Sequence, residues 1–144
     1  MTLSPLEQLE QEIYDLGIDL IERRPRADLD ALFVHRRGHR PRIYIDPAIR
    51  RPAARYVLLA EELGHYYTTT GDILPEATPA QRRQERIARE YAYRRTAPYA
   101  VILQMLHKRY YPFEIAEWLG VPLWYLCEAM QVYGLGSFAC EDAM

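Results

Sequence analysis

The segment Tyr56-Val57-Leu58-Leu59-Ala60-Glu61-Glu62-Leu63-Gly64-His65 constrains this chain more than any other. Pro52 opens it as the first turn of a helix, where the missing N–H leaves nothing unpaired, and the pattern runs on to about Tyr67. At 3.6 residues per turn, Glu61, Glu62 and His65 fall with Leu58 in one sector of roughly 100–140°. Tyr56, Leu59, Ala60, Leu63 and Tyr67 form the other side, suited to a core. The fold must therefore hold two adjacent carboxylates and an imidazole against a second element. Such a cluster is expensive to gather without a cation. Gly64, which has no Cβ, lets a neighbouring helix or backbone approach the polar sector closely.

The spacing is that of the H-E-x-x-H motif, with glutamate in place of the first histidine. In that motif the side chains at i and i+4 bind zinc, and the glutamate at i+1 activates a water. Glu61 and His65 take the two ligand positions here, and Glu62 takes that of the general base. A zinc site needs a third protein ligand, and Glu85 is the best candidate. Glu85, Ala88 and Ala92 share a face of the helix expected from about Ala80 to Thr96, and the small alanines allow packing against Gly64. That packing brings the Glu85 carboxylate toward His65. Asp72, seven residues after His65, is an alternative third ligand or a supporting group. A carboxylate ligates zinc at about 2.0–2.2 Å, but two ionised glutamates cancel the charge of Zn²⁺ and leave a bound water less acidic. Oxygen-rich sets also favour harder ions such as Mn²⁺ or Mg²⁺. The alternative without a metal is a site whose carboxylates pair with arginines such as Arg86 or Arg89.

The remaining elements follow from periodicity and punctuation. Leu6, Leu9, Ile13, Leu16 and Leu20 predict an amphipathic N-terminal helix, Ser4 to Arg23 within residues 1–24, capped by Ser4 with Pro5 in its first turn. Ala31–His35 and Arg42–Ile45 are rich in β-forming residues and flank a turn with Gly38 and Pro41, which predicts a short β-hairpin sheet. After a loop containing Pro75 and Pro79 come helices over about 80–96, 99–108, 112–119 and 122–133. No internal repeat or low-complexity tract interrupts residues 1–144, so one domain is expected: a core over 29–98 and a helical C-terminal subdomain over 99–144.

Composition narrows the classes. With 49% hydrophobic and 26% charged residues the chain suits a globular protein, and no apolar stretch approaches the roughly 18–20 residues that span a bilayer. The N-terminus has no basic segment followed by an apolar one, which predicts a cytoplasmic protein without membrane association. Cys127 and Cys140 follow no metal-binding spacing and read as reduced thiols. The net charge of −2 hides an asymmetry: Arg36, Arg37, Arg40, Arg42, Arg50, Arg51 and Arg55 are opposed by Asp46 alone within their span. Such a patch suits nucleic acid or an acidic polypeptide, or is simply a solvated face. His35 and His39, on either side of the hairpin turn, form a weak alternative metal clip, and His107 suits a surface helix end.

Glu61-Glu62-Leu63-Gly64-His65, followed after a loop by Glu85-x-x-Ala88-x-x-Tyr91-Ala92 and Pro98, resembles the ImmA/IrrE metallopeptidases. Their pattern is H-E-x-G-H or H-E-L-G-H, then E-x-x-A-N-x-F-A with a proline further on. Arg42-Ile43-Tyr44-Ile45-Asp46 is similar to the strand before their motif helix, and Gly71-Asp72-Ile73-Leu74 is similar to phage and mobile-element members. The resemblance covers 29–98 well and the last third loosely. It implies an α+β, zincin-like fold, mainly helical, in a cytoplasmic Zn²⁺ endopeptidase that cleaves a helix-turn-helix repressor of a phage or mobile element. The family's zinc histidines fall on Glu61 and His65, its general base on Glu62, and its distal glutamate ligand on Glu85. The family's asparagine is Arg89 here, and its phenylalanine Tyr91.

Glu114–Pro122 followed by Tyr125, Leu126 and Met130 has the small residue, glycine turn and apolar positions of a helix-turn-helix. Its second helix carries one charge, negative, and no base for phosphate or guanine, which favours packing over DNA reading. Three functions are thus expected in order: a metal-dependent peptidase, a zincin-like regulator that binds a repressor without cleaving it, and a nucleic-acid binder using Arg36–Arg55. Metal content separates the first two, and salt-dependent DNA binding tests the third.

Overall fold

The computed structural model describes residues 2–26, 28–69 and 78–136, and the chain divides into two compact units, Met1–Ala92 and Tyr93–Met144. The first unit opens with α1 (Pro5–Asp15), whose end is capped reciprocally. The Glu7 N–H donates to the Ser4 hydroxyl and the Ser4 N–H to the Glu7 carboxylate, both at 3.1 Å. The helix expected to reach Arg23 stops at Asp15. Gly17 takes a left-handed conformation at φ +77°, and the N–H groups of Gly17 and Ile18 turn back to Tyr14 and Ile13. The chain then enters β1 (Asp19–Glu22), which lies parallel to β3 (Arg42–Ile45) in the register Asp19↔Arg42 to Glu22↔Ile45. Leu20 fits a helical stripe, but its backbone is satisfied by a strand 23 residues away, which local periodicity does not reveal.

The expected hairpin is present, with β2 (Ala31–Val34) antiparallel to β3. β1 makes it a three-stranded sheet of order β1-β3-β2. Ala31 and Phe33 of β2 and Ile43 and Ile45 of β3 alternate inward. They join Leu9 and Ile13 of α1 and Leu59 and Leu63 of α2 (Pro52–Thr68) in the core of this unit. Arg55 near the start of α2 grips both carboxylate oxygens of Glu22 on β1 and reaches Glu10 on α1 at 3.5 Å. This fork fixes helix, strand and motif helix at one corner. α3 (Pro79–Thr96) supplies the last wall of the unit.

The second unit gathers the end of α3 with α4 (Tyr99–His107), α5 (Pro112–Leu119) and α6 (Leu123–Val132). Ile102, Ile115, Leu126 and Met130 are fully buried. Polar groups in this core are paired: Thr96 Oγ1 with the Tyr125 hydroxyl at 2.9 Å, and the Tyr93 hydroxyl donating to Glu128 at 3.0 Å. Gly120 at φ +78° makes the turn between α5 and α6. Cys127 is disulfide-bonded, which corrects the expectation of a reduced thiol there; Cys140 lies outside the described residues. Among the described residues no helix is long and apolar enough to cross a membrane.

Candidate metal centre

The centre is positioned by one close helix contact. Tyr56, Val57, Leu59, Ala60 and Leu63 bury the inner side of α2. Tyr67, expected on that side, is exposed and donates its hydroxyl to Glu12 at 2.9 Å. At Gly64 a Cβ would lie 2.6 Å from the carbonyl oxygen of Ala88 and 3.1 Å from the Tyr91 ring. Only a residue without one allows α3 this close. Ala88 and Ala92 are fully buried on the facing side. Glu85, one turn before Ala88, is thereby carried to His65, with its Oε2 at 3.3 Å from His65 Nε2.

A cavity of about 540 Å³ opens at this point. One wall is formed by residues 28–33, which lead into and include most of β2. Leu58, Glu61, Glu62 and His65 of α2 form the second, and Gln81, Glu85 and Arg89 of α3 the third. All four residues singled out in the sequence therefore share one cavity, of a size that takes a small ligand or a peptide side chain. Asp72 lies outside the described residues.

The electrostatics of the four groups differ. Glu85 accepts from His65 and from Gln81 Nε2 at 3.0 Å, and the His65 contact chiefly holds its carboxyl below the usual range. Burial opposes charge on His65, but the bond to Glu85 and the charges of the surrounding glutamates outweigh it and raise the imidazole pKa. Burial raises Glu61 despite the Arg89 guanidinium, whose NH2 lies 3.5 Å from Glu61 Oε1. Burial also pushes Glu62 up to about 8, although it accepts the backbone N–H of Phe33.

Two donors bonded at about 2.0–2.1 Å to one tetrahedral ion stand roughly 3.3–3.4 Å apart. His65 Nε2 and Glu85 Oε2 have that separation, so this pair fits a shared divalent ion. Among the described residues, no three His, Cys, Asp or Glu side chains surround a single point. Glu61 fits as a donor by type and by its place on the cavity wall, with its carboxylate directed at Arg89. The buried Nδ1 of His65 has no hydrogen-bond partner among the described residues, so the ring is oriented by its packing and by the Nε2 contact with Glu85.

Two neighbours of the site, Gln81 and the Phe33 backbone, are not among the residues the sequence singles out. Gln81 is four residues before Glu85, a spacing that announces a shared helix face. The Phe33 N–H is a backbone group and leaves no side-chain signal. Of the two arginines expected to pair with the carboxylates, Arg89 lies beside Glu61, while Arg86, about 100° round α3 from Glu85, is not on the cavity wall. The basic patch is partly paired within the chain: Arg40 with Asp19 at 3.2 Å, Arg55 with Glu22 and Glu10, and Arg42 with the Tyr44 hydroxyl. His39 lines a separate cavity of about 390 Å³ with Val34, Arg36, Arg40, Arg42 and Tyr44.

A small, mainly helical α+β domain with a carboxylate–imidazole centre on its motif helix belongs to the zincin-like, metallopeptidase-like class. The family model Peptidase_M78, described as the IrrE N-terminal-like domain, matches residues 14–131, and the chain belongs to this ImmA/IrrE family. No curated protein and no solved structure matches it.

Proposed function

We propose that the chain is a metal-dependent endopeptidase that cleaves a helix-turn-helix repressor of a phage or mobile element in the cytoplasm. Zn²⁺ is its ion, with Mn²⁺ as the alternative. Glu61, His65 and Glu85 are the ligands and Glu62 the general base. The observation that carries this reading is the 3.3 Å approach of His65 Nε2 and Glu85 Oε2 on the wall of a cavity shared with Glu61 and Glu62. When bound, the ion supplies Lewis-acid chemistry to the attacking water and the scissile carbonyl.

The chain's own residues do the rest. β2 is an edge strand of the sheet and lines the cavity, so it offers main-chain groups along which an extended peptide segment can lie. Glu62 lies on the cavity wall, and in its ionised form, which burial disfavours below a pH of about 8, it can take a proton from a water in the cavity and return it to the leaving amine. Leu58 and Leu32 give the cavity apolar surface for a substrate side chain. In the second unit Tyr111, Trp118 and Trp124 expose large aromatic surface, of the kind that protein partners cover.

A second reading, a zincin-like regulator that binds the repressor without cleavage, is favoured by the contact of Arg89 with Glu61. A nucleic-acid role for Arg36–Arg55 is weaker, because Arg40 and Arg55 already have acidic partners within the chain. Elemental analysis of protein purified without chelator, paired with a repressor cleavage assay, tests the leading reading. A bound divalent ion and repressor cleavage are expected. Intact repressor in the presence of a stoichiometric complex and saturating Zn²⁺ or Mn²⁺ would establish the regulator instead.

A further inference from the structure

Two adjacent glutamates on one helix face, turned from water, are stabilised as anions by a positive charge nearby, and Arg89 lies close enough to supply one. We infer that Arg89 is the resident counter-cation of this centre, holding Glu61 in the metal-free protein and competing with a divalent ion for its carboxylate. The inference deepens the ligand assignment made above and rests on it for the competition, though not for the pairing. Arg89 NH2 lies 3.5 Å from Glu61 Oε1. The Glu61 side chain is 18% exposed, so its charge is largely removed from water, while Arg89 reaches in from a half-exposed position. Both line the same cavity as His65 and Glu85.

The placement follows from the helix spacing. Arg89 is four residues after Glu85 and next to Ala88, the residue whose backbone touches Gly64. The contact that brings Glu85 to His65 therefore also brings the guanidinium over α2 one turn further along α3. In an H-E-x-x-H helix the first position is a neutral imidazole. Glu61 adds one negative charge there, and Arg89 returns it. Without the arginine, Glu61 would stand desolvated beside Glu62 and Glu85, which disfavours the metal-free fold. With the arginine, an incoming ion must take Glu61 from its partner and tolerate a cation beside it. A solvated surface ion pair would have neither effect.

Two measurements test this. The first is a double-mutant cycle of Glu61→Gln, Arg89→Gln and the double variant on unfolding stability in chelator. Coupling between the two positions is expected, with the double variant losing less stability than the sum of the two single losses; additive effects would overturn the inference whether or not the protein binds metal. The second is calorimetric titration of wild type, Arg89→Gln and Arg89→Lys with Zn²⁺ and with Mn²⁺. Arg89→Gln should bind roughly tenfold tighter or more, and Arg89→Lys, which keeps the charge, should stay near wild type. Equal or weaker ion binding by Arg89→Gln would overturn the competition. Arg89→Gln that folds only when Zn²⁺ is added supports it. Coupling in chelator with no ion taken up by any variant would uphold the counter-cation while removing the peptidase reading.

Discussion

Glu62 lines the cavity, where burial raises its carboxyl pKa to about 8 against the opposing charge of His65. Glu62→Gln keeps the size but cannot take a proton. Repressor cleavage should fall on the order of 10²–10⁴-fold while metal content and repressor binding stay near wild type. Cleavage at the wild-type rate would remove Glu62 as the base. Glu61→His restores a nitrogen donor that does not attract the arginine. It should raise Zn²⁺ affinity and shift preference from Mn²⁺ toward Zn²⁺, as competitive titration of the two ions would show. Weaker Zn²⁺ binding would mean that the cavity is shaped for a carboxylate. The meeting of His65 and Glu85 was legible beforehand because helical spacing fixes which side chains share a face, and because Gly64, Ala88 and Ala92 mark where two helices touch. The direction of the Glu61 carboxylate was not legible, since several rotamers of a glutamate reach either a cavity or a neighbouring arginine.

α2 and α3 meet where a backbone carbonyl fills the space that a side chain would need. Gly64→Ala gains helix propensity of about 1 kcal/mol, but its methyl would stand 2.6 Å from Ala88 O. Overpacking of this kind costs about 1–3 kcal/mol, so a net loss of stability with a displaced Glu85 is expected. Urea unfolding, and a weaker Zn²⁺ affinity, would report it; unchanged values would show that α3 yields easily. At the other end of the unit, Ser4→Ala removes the acceptor for the Glu7 N–H and should lower stability by about 0.5–2 kcal/mol. Ser4, Pro5 and Glu7 were readable as a helix start because capping chemistry is local. The end of α1 is not legible in the same way, because Leu16 and Leu20 continue a stripe of the right period. What overrides it is Gly17 and the pairing of β1 with β3, a non-local gain. The hairpin and the four later helices were legible for the opposite reason: glycine or proline punctuates each of them.

Across the whole molecule, an ion bound to the native state and not to the unfolded chain raises stability by mass action, about 2.7 kcal/mol at 100 times its dissociation constant. The thermal midpoint should therefore fall in chelator and climb with added Zn²⁺, and a midpoint indifferent to both would contradict ion binding by the native chain. DNA affinity should be weak near 0.15 M salt and fall only gently as salt rises, since Arg40, Arg42 and Arg55 are engaged within the fold. Gly64 also has a consequence for genetics. Its nearest opposing atom is the carbonyl oxygen of Ala88 at 2.6 Å, ahead of the Tyr91 ring at 3.1 Å, and trimming a facing side chain cannot make that carbonyl recede. An allele carrying Gly64→Ala would thus have no allele-specific suppressor at residue 88. Revertants selected for function should restore glycine, or carry distant changes that raise the stability of the entire chain and would rescue unrelated lesions equally well.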